Sequence, residues 1–307
     1  SKIYVIGSSN TDMVVKSNFL PKPGETVIGD TFLMNPGGKG ANQAVSACKL
    51  GADVTFITKV GNDMFGKKAV NNFKKIGIKT DYIRIDKNNS SGVAIIMVDK
   101  SGENSISVAP GANNSLTIKD VNFIEEKLKA DDYVLIQLEI PKTVVEYLIE
   151  ICNKLKVKLI LNPAPFQKIS DYHLSQVNTI TPNEIETEYL SGIKVKDKET
   201  AKKASEILIN KGIKNIIITM GEKGAFYKSS SFEGLIPTKK VSVIDSTAAG
   251  DTFNGALVAG LSMKMDMLTS IDFANNAATY SVTKLGAQSS APSINDLNNK
   301  FLKYVHS

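Results

Sequence analysis

Residues 133–162 have the sequence YVLIQLEIPKTVVEYLIEICNKLKVKLILN, and this stretch decides the predicted fold. Its first part, 133–138, is almost entirely apolar, which is typical of a strand that helices cover on both faces. An amphipathic stretch follows at 142–156, and a second apolar run occupies 158–161. This order predicts two parallel strands that are joined by a crossover helix.

The same alternation extends outward over most of the chain. Further strands are predicted at 3–7, 54–60, 179–181 and 215–220, and further helices at 40–50, 65–76, 118–129, 184–190 and 199–211. Residues 250–285 predict two long apolar helices, and 294–305 predict a last one. The pattern therefore predicts an α/β fold with three layers, in which helices cover both faces of a mostly parallel sheet.

Residues 82–110 interrupt this alternation. They contain the β-like runs YIRID, GVAIIMVD and NSISVA without a helix between them, and parts of residues 11–34 have the same character. We expect these pieces to form a small antiparallel sheet outside the main one, although extra edge strands of the main sheet are the alternative. Since no linker separates two domains, residues 1–307 are predicted to be one domain that carries these β segments.

Composition excludes several classes of protein. The 307 residues include 37 basic and 31 acidic side chains, and the hydrophobic fraction of 42% is that of a globular protein. No apolar run is long enough to span a bilayer, and the first residues lack the pattern of a signal peptide, so we expect a cytoplasmic protein. Arg84 is the only arginine and the lysines are dispersed, which argues against a nucleic-acid site.

Cysteine and histidine contribute little to the predicted chemistry. Cys48 and Cys152 lie in predicted helices and are expected to be buried, reduced thiols. The two histidines and two cysteines are scattered, so neither a zinc site nor a histidine-based triad is indicated.

Two segments rich in glycine and alanine point to chemistry. Residues 36–43, PGGKGANQ, open a predicted helix whose free N–H groups favour anions or hydroxyl oxygens, although a plain tight turn would look the same. Residues 245–256, DSTAAGDTFNGA, follow a β-like run at 241–244. They expose successive N–H groups at the start of another helix and place Asp251 in its first turn. That pattern indicates an anion site with a base beside it, or a carboxylate that only stabilises the helix dipole.

Together the two segments resemble the paired motifs of the ribokinase-like carbohydrate kinases, also called the phosphofructokinase-B family. The first motif, G-G-x-[GA]-x-N, is matched from Gly37 to Asn42. The second, D-T-x-[GA]-[AG]-G-D, is matched from Asp245 to Asp251, with Ser246 in place of the common threonine. The runs GSSNTD at 7–12, QLEIP at 137–141, NPAP at 162–165, TPNEIE at 181–186 and TMGEKG at 219–224 are also similar to stretches of the ribose-specific members, so the resemblance covers the whole chain.

The resemblance implies ATP-dependent phosphorylation of D-ribose at O5, which gives ribose 5-phosphate and ADP. Asp251 would be the general base, and the backbone of Ala248, Ala249, Gly250 and Asp251 would form an anion hole. The sugar would be bound by Asn10, Thr11, Asp12, Gly38, Lys39, Gly40, Ala41, Asn42, Glu139 and Asp251. For Lys39, contact with sugar or phosphate and a solvated surface position both remain open.

Cofactor sites follow from the same resemblance. ATP would contact Asn183, Thr219, Met220, Gly221, Glu222, Lys223, Gly224, Gly250, Asp251 and Asn275. Mg²⁺ would be placed indirectly by Glu186, together with Asn183, and K⁺ would be held by Asp245, Thr247, Ser281, Lys284, Gly286 and Ser290.

The small sheet would close over the sugar as a lid and form the contact of a homodimer. Ala94 and Ile96 share a face of one predicted strand, where they would cover the sugar or simply form an apolar strand face. Another sugar or nucleoside kinase of the family, such as a deoxyribokinase or fructokinase, is the first alternative. A non-catalytic sugar sensor is the second, and the intact Asp251 segment argues against it.

Overall fold

The computed structural model describes residues 1–297, which form three layers with a sheet of eight strands in the middle. The strands are β1 Ile3–Ile6, β2 Asn10–Lys16, β3 Thr31–Gly37, β4 Val54–Ile57, β5 Lys59–Gly61, β6 Arg84–Asp86, β7 Gly92–Val98, β8 Asn104–Ala109, β9 Tyr133–Ile136, β10 Lys158–Leu161, β11 Thr179–Ile180, β12 Asn215–Thr219, β13 Ala225–Lys228 and β14 Glu233–Ile236. The helices are α1 Lys39–Lys49, α2 Met64–Ile76, α3 Ile118–Val121, α4 Ile124–Lys127, α5 Lys142–Lys154, α6 Asp171–Leu174, α7 Glu184–Ser191, α8 Lys198–Asn210, α9 Ala249–Ser262 and α10 Met267–Ser281.

The main sheet has the strand order β14-β13-β12-β11-β10-β9-β1-β4. The six neighbouring strands β4, β1, β9, β10, β11 and β12 pair in parallel, and β13 and β14 add an antiparallel edge. The predicted fold class, with a mostly parallel sheet between helices, is therefore confirmed.

Alternating side chains of the sheet supply two hydrophobic cores. On β9, Val134 and Ile136 belong to one cluster and Leu135 to the other, and all three are fully buried. Helices α5 and α8 cover the first face, while α1, α9 and α10 cover the second. Burial on both faces explains why these strands are continuously apolar in the sequence.

A separate sheet of four strands has the order β3-β2-β7-β8. The pairs β2/β3 and β7/β8 are antiparallel and the pair β2/β7 is parallel. A small sheet outside the main one is thus present, as expected. The YIRID run does not belong to it, because Arg84–Asp86 pairs in parallel with Lys59–Gly61 as a two-stranded sheet.

Other boundaries differ from the prediction. The strand predicted at 54–60 is divided into β4 and β5, and the helix predicted at 118–129 is divided into α3 and α4. Residues 241–244 do not form a strand, and β14 is the edge of the main sheet. Within 241–244, only the Ile244 N–H makes a backbone hydrogen bond with a described residue, donating to the Val282 carbonyl. Of the helix predicted at 294–305, Ile294–Asp296 is a 3₁₀ turn and 298–305 lie outside the described residues.

Two further expectations concern the cysteines and membrane-spanning helices. Cys152 is buried and Cys48 is partly buried, and both thiols are free. Within residues 1–297, no helix is both long and apolar enough to cross a membrane.

The functional segments meet at one edge of the main sheet. The carboxyl ends of β1, β9, β10 and β11 lead into polar residues, and the N-termini of α1 and α9 lie against this edge. Ligands of open parallel sheets bind at such an edge, because the loops there leave a crevice outside the strand ends.

Candidate active site

Asp251 lies in the first turn of α9, and only 7% of its surface is exposed. Ala248 precedes the helix with a left-handed backbone, φ 58°, and its carbonyl accepts the N–H of Thr252. The N–H of Ala249 is bonded to the Ser246 carbonyl, whereas those of Gly250 and Asp251 have no bonded partner among residues 1–297. The two free N–H groups at a helix start form a site for an anion.

The Asp251 carboxylate is held by two consecutive amides of α1. Asn42 donates through Nδ2 to Oδ2, and Gln43 donates through Nε2 to Oδ1, each at 2.9 Å. Burial raises the pKa of Asp251, while the nearby Lys39 ammonium and the two amide donors act in the opposite direction. The carboxylate is therefore dry, hydrogen-bonded on both oxygens and available as a proton acceptor.

The glycines of the PGGKGANQ segment let α1 approach the end of β1. Gly38 has a φ of 88°, and a Cβ atom there would lie 2.7 Å from the Asn10 nitrogen. A Cβ atom on Gly40 would lie 2.6 Å from the Gly7 backbone. Neither distance is possible for a real side chain, so the sequence at these positions is fixed by the backbone contact. Ala41 is fully buried and donates its N–H to the Ser8 carbonyl.

Three charged side chains of the predicted sugar site form one cluster near Asp251. Burial raises the pKa of Asp12 to about 6, with the Glu139 and Asp251 carboxylates adding to the effect and Lys39 opposing it. The pKa of Lys39 is raised because Asp251, Glu139, Glu186 and Asp12 together outweigh its burial. Glu139 accepts hydrogen bonds from the Ser8 hydroxyl and from the Lys39 N–H. Such a set of acceptors and donors suits a ligand with several hydroxyl groups.

Asn113 supports this cluster and was not identified as a site residue from the sequence. It is 2% exposed, its Oδ1 accepts the N–H of Ser9 at 2.9 Å, and its Nδ2 donates to Asn10 Oδ1 at 2.7 Å. These bonds fix the Asn10 amide, while Thr11 follows on β2, half-buried. No local pattern could have revealed this role, because Asn113 lies 103 residues from Asn10.

The predicted nucleotide residues lie around two neighbouring strand ends. Asn183 caps α7 in a reciprocal pair with the buried Glu186, and it bridges to Thr219 at the end of β12. Burial raises the pKa of Glu186, although the Asn183 N–H and Lys39 oppose the shift. Beyond Thr219, Met220 is buried and Gly221–Lys223 form a 3₁₀ turn that ends at Gly224. Within that turn Glu222 is exposed, and the ammonium of Lys223 donates to the Lys196 carbonyl.

Asn275 lies beside the same predicted nucleotide residues, because it contacts the end of β14. Its Nδ2 donates to the Ile236 carbonyl at 3.0 Å, and a Cβ atom on Gly224 would contact that same carbonyl oxygen. The predicted nucleotide residues of three separate segments therefore lie around β12 to β14.

The residues predicted for a monovalent cation lie in the loop before α9 and in the segment that begins at Ser281, the last residue of α10. The Asp245 carboxylate accepts the N–H groups of Thr247 and Gly286, each at 2.9 Å. Burial alone would raise the pKa of Asp245, but these hydrogen bonds outweigh it and the pKa is lowered. In this second segment, the Lys284 N–H is bonded to the Ser281 carbonyl, the Lys284 ammonium lies over the Tyr280 ring, and Ser290 is buried.

The raised pKa of Asp12 gives a stability prediction. An ionised Asp12 destabilises the folded chain above pH 6, whereas below pH 4 it is protonated in both folded and unfolded states. We expect Asp12→Asn to raise the free energy of unfolding at pH 8 by about 1–3 kcal/mol, and the gain to vanish towards pH 4. Urea unfolding at several pH values measures it. The exposed Asp131→Asn is the control, and an equal gain at pH 4 and pH 8 would contradict the prediction.

Comparisons with known proteins identify the family of this chain. The model of the pfkB family carbohydrate kinases matches residues 1–294. A ribokinase from Haemophilus influenzae is 45% identical over 290 residues, which are 94% of this chain and 95% of the relative. A deoxyribokinase from Salmonella typhimurium is 38% identical, with 96% of this chain and 97% of the relative covered. The structure of Arabidopsis thaliana ribokinase complexed with ribose and ATP superposes with a TM-score of 0.89 at 28% identity, covering 100% of this chain and 99% of the other. This chain belongs to the pfkB family of carbohydrate kinases.

Proposed function

We propose that this chain transfers the γ-phosphoryl group of ATP to O5 of D-ribose and releases ribose 5-phosphate and ADP. The observation that carries the proposal is the buried Asp251 carboxylate, which adjoins two free N–H groups and a polar cluster suited to a sugar. Relatives named ribokinase, at up to 45% identity among those compared, support ribose as the sugar.

The sugar is bound by the polar groups around Lys39. Asp12 and Glu139 accept hydrogen bonds from sugar hydroxyls. Asn10 and Asn42 position the sugar ring so that its attacking hydroxyl lies beside Asp251. A ligand hydroxyl that donates to Asp12 stabilises its ionised form, which burial and the neighbouring carboxylates disfavour in the free chain. Sugar binding therefore offsets part of the unfavourable free energy of the buried Asp12 charge.

Asp251 removes the proton of the attacking hydroxyl. Phosphoryl transfer depends mainly on alignment and on stabilising negative charge, so the protein needs one base and a set of fixed donors. The N–H groups of Gly250 and Asp251 supply donors on the phosphoryl side. Arg84 takes no part in this, since its guanidinium lies over the Phe123 ring.

The residues predicted for magnesium fit an indirect role. Both carboxylate oxygens of Glu186 already accept hydrogen bonds from Asn183, so Glu186 is suited to ordering the water around Mg²⁺ rather than to direct ligation. When bound to ATP, Mg²⁺ neutralises phosphate charge. Asn183 and Glu186 would hold it beside the nucleotide.

The loops around Asp245 fit a potassium ion. Asp245 contributes a carboxylate whose lowered pKa keeps it ionised, and the other donors are carbonyl and hydroxyl oxygens, the hard ligands that such cations prefer. The ion would be held by Asp245, Thr247, Ser281, Lys284, Gly286 and Ser290, and it would supply positive charge behind the anion-binding turn. The role of these residues is to fix the backbone that leads to Ala248.

The β2/β3/β7/β8 sheet acts as a lid over the sugar. Ala94 is buried and faces Asp12 in register, and Ile96 is half-buried on the same side of β7. Closure of an apolar surface over the sugar excludes water, which would otherwise accept the phosphoryl group.

We expect two copies of the chain to associate through this sheet. The edge strand β8 is exposed along its length, and Ile106 and Val108 are 56% and 52% exposed. Sedimentation should show a dimer that Ile106→Lys shifts towards monomer. Ile185→Lys, at a position 65% exposed on α7, is the matched control. A wild-type chain that remains monomeric at tens of micromolar would contradict the expectation.

Asp251→Asn tests the assignment of the base. The amide cannot accept the proton, so we expect kcat to fall on the order of 10²–10⁴-fold while the chain stays folded and binds ATP with similar affinity. Steady-state kinetics, with ATP titrated by calorimetry, measures both. Turnover close to that of the wild type would exclude Asp251 as the base.

The choice of sugar is tested by measuring ADP release with MgATP against D-ribose, 2-deoxyribose, fructose and adenosine, with and without K⁺. We expect the highest kcat/KM with ribose and stimulation by K⁺. Preference for 2-deoxyribose would instead place the chain with the similar deoxyribokinases. Ribose binding without turnover of any sugar would indicate a sensor.

A further inference from the structure

Gln43 is a fully buried side chain whose amide is bonded at both ends. Its Nε2 donates to Asp251 Oδ1 at 2.9 Å and to Asn162 Oδ1 at 3.0 Å. Its Oε1 accepts from Gln137 Nε2 at 2.7 Å. The opposite orientation of the amide would set oxygen against oxygen at Asp251 and Asn162, and N–H against N–H at Gln137. The neighbours therefore decide that Asp251 faces an N–H donor.

Asn162 and Gln137 each follow a strand of the main sheet. Asn162 follows β10, and its Nδ2 donates to the Thr181 carbonyl at 3.2 Å, so its Oδ1 must face Gln43. Gln137 follows β9 and is fully buried. The orientation of the Gln43 amide is therefore set by Asn162 at the end of β10, and Gln137 at the end of β9 adds a donor that fits this orientation alone.

Gln137 has a feature that folding alone does not explain. Its Oε1 is buried and has no hydrogen-bond partner among residues 1–297, while its Nε2 makes the bond to Gln43. A buried acceptor without a partner destabilises a protein, and an apolar side chain of the same size would avoid it. What the residue contributes is the N–H that faces Gln43.

We propose that Gln43, oriented by Gln137 and Asn162, is a positioning residue that holds the Asp251 carboxylate in the orientation required for proton removal. The proposal rests on the assignment of Asp251 as the base under the proposed function. The amides transfer no proton. They fix one oxygen of the carboxylate by a hydrogen bond, and Asn42 fixes the other.

The consequence for catalysis has a definite sign. A donor to the ionised form of a carboxylate lowers its pKa, so loss of the Gln43 N–H raises the pKa of Asp251. The acid limb of the kcat profile then moves to higher pH, by about one unit, and kcat falls on the order of 10–100-fold. The charged groups that face Asp251 are Lys39 on α1, Glu139 after β9, Asp12 on β2 and Glu186 on α7, and the test leaves all of them in place.

The test compares Gln43→Met and Gln137→Met with Ser46→Ala. Methionine has nearly the size and flexibility of glutamine but no donor. Ser46 is an equally buried residue of the same helix, and its hydroxyl donates to the Thr252 carbonyl of α9 without touching Asp251. For each variant, kcat and KM are measured against pH, thermal unfolding is recorded, and the Asp251 carboxyl is titrated by ¹³C NMR.

We expect Gln43→Met to lower kcat with KM for ribose and ATP nearly unchanged, and to raise the pKa of Asp251. Gln137→Met should shift both quantities in the same direction by a smaller amount, because it only loosens the Gln43 amide. Gln137→Met should remain about as stable as the wild type, because it removes one unpaired acceptor and leaves another on Gln43. Ser46→Ala should change stability alone. Glutamine variants that lose stability as Ser46→Ala does, with an unmoved pH profile and carboxyl titration, would overturn the proposal.

Failure of this inference can be distinguished from failure of the proposed function. If Asp251→Asn is inactive while Gln43→Met and Gln137→Met keep the wild-type pH profile, Asp251 remains the base and only the positioning role is wrong. If Asp251→Asn stays active, the base assignment fails first. Should Gln43→Met not fold, Gln137→Met decides the question, because it keeps the Asn42 and Gln43 amides and removes only the hydrogen bond that helps to orient Gln43.

Discussion

The structure depends on one constraint, which is that a carboxylate must be kept out of water at the point where α1 meets α9. A buried charge is unfavourable unless fixed donors replace its hydration, and Asp251 receives one donor on each oxygen from consecutive residues of α1. This arrangement requires α1 to lie close to both β1 and α9, which explains the glycines of its N-terminus. Packing of the hydrophobic layers sets the distances between α1, β1 and α9. At these distances the Asn42 and Gln43 amides reach the Asp251 carboxylate.

The charged groups around Asp251 are unfavourable for the free energy of the ligand-free site and favourable for ligand binding. Asp12, Glu139, Glu186 and Asp251 all act on the single ammonium of Lys39, so acidic groups are in excess. Burial, together with the Glu139 and Asp251 carboxylates, raises the pKa of Asp12. A polyol that donates hydrogen bonds, with phosphates held by free N–H groups nearby, complements both halves of the site. The unfavourable interactions among the carboxylates thus lie where a bound sugar would contact them.

Much of the fold was predictable because it depends on local patterns. Apolar runs of four to six residues between amphipathic stretches indicated the parallel strands, and β9, α5 and β10 lie close to their predicted positions. Errors fell where pairing depends on distant segments. Residues 82–86 have the composition of a strand, but their partner β5 became available only because the predicted strand at 54–60 is interrupted. Residues 241–244 have strand-like side chains without a neighbouring strand.

The sequence by itself determined the class of the fold, the family and the identity of most candidate site residues, since glycine spacing and short motifs are local properties of the chain. Only the tertiary structure decided how those residues act. The support of Asn10 by Asn113, the orientation of Gln43 by Gln137 and the excess of carboxylates around Lys39 join segments about a hundred residues or more apart. Hydrogen-bond direction and burial are set by packing in three dimensions, and no residue pattern along the chain encodes them locally.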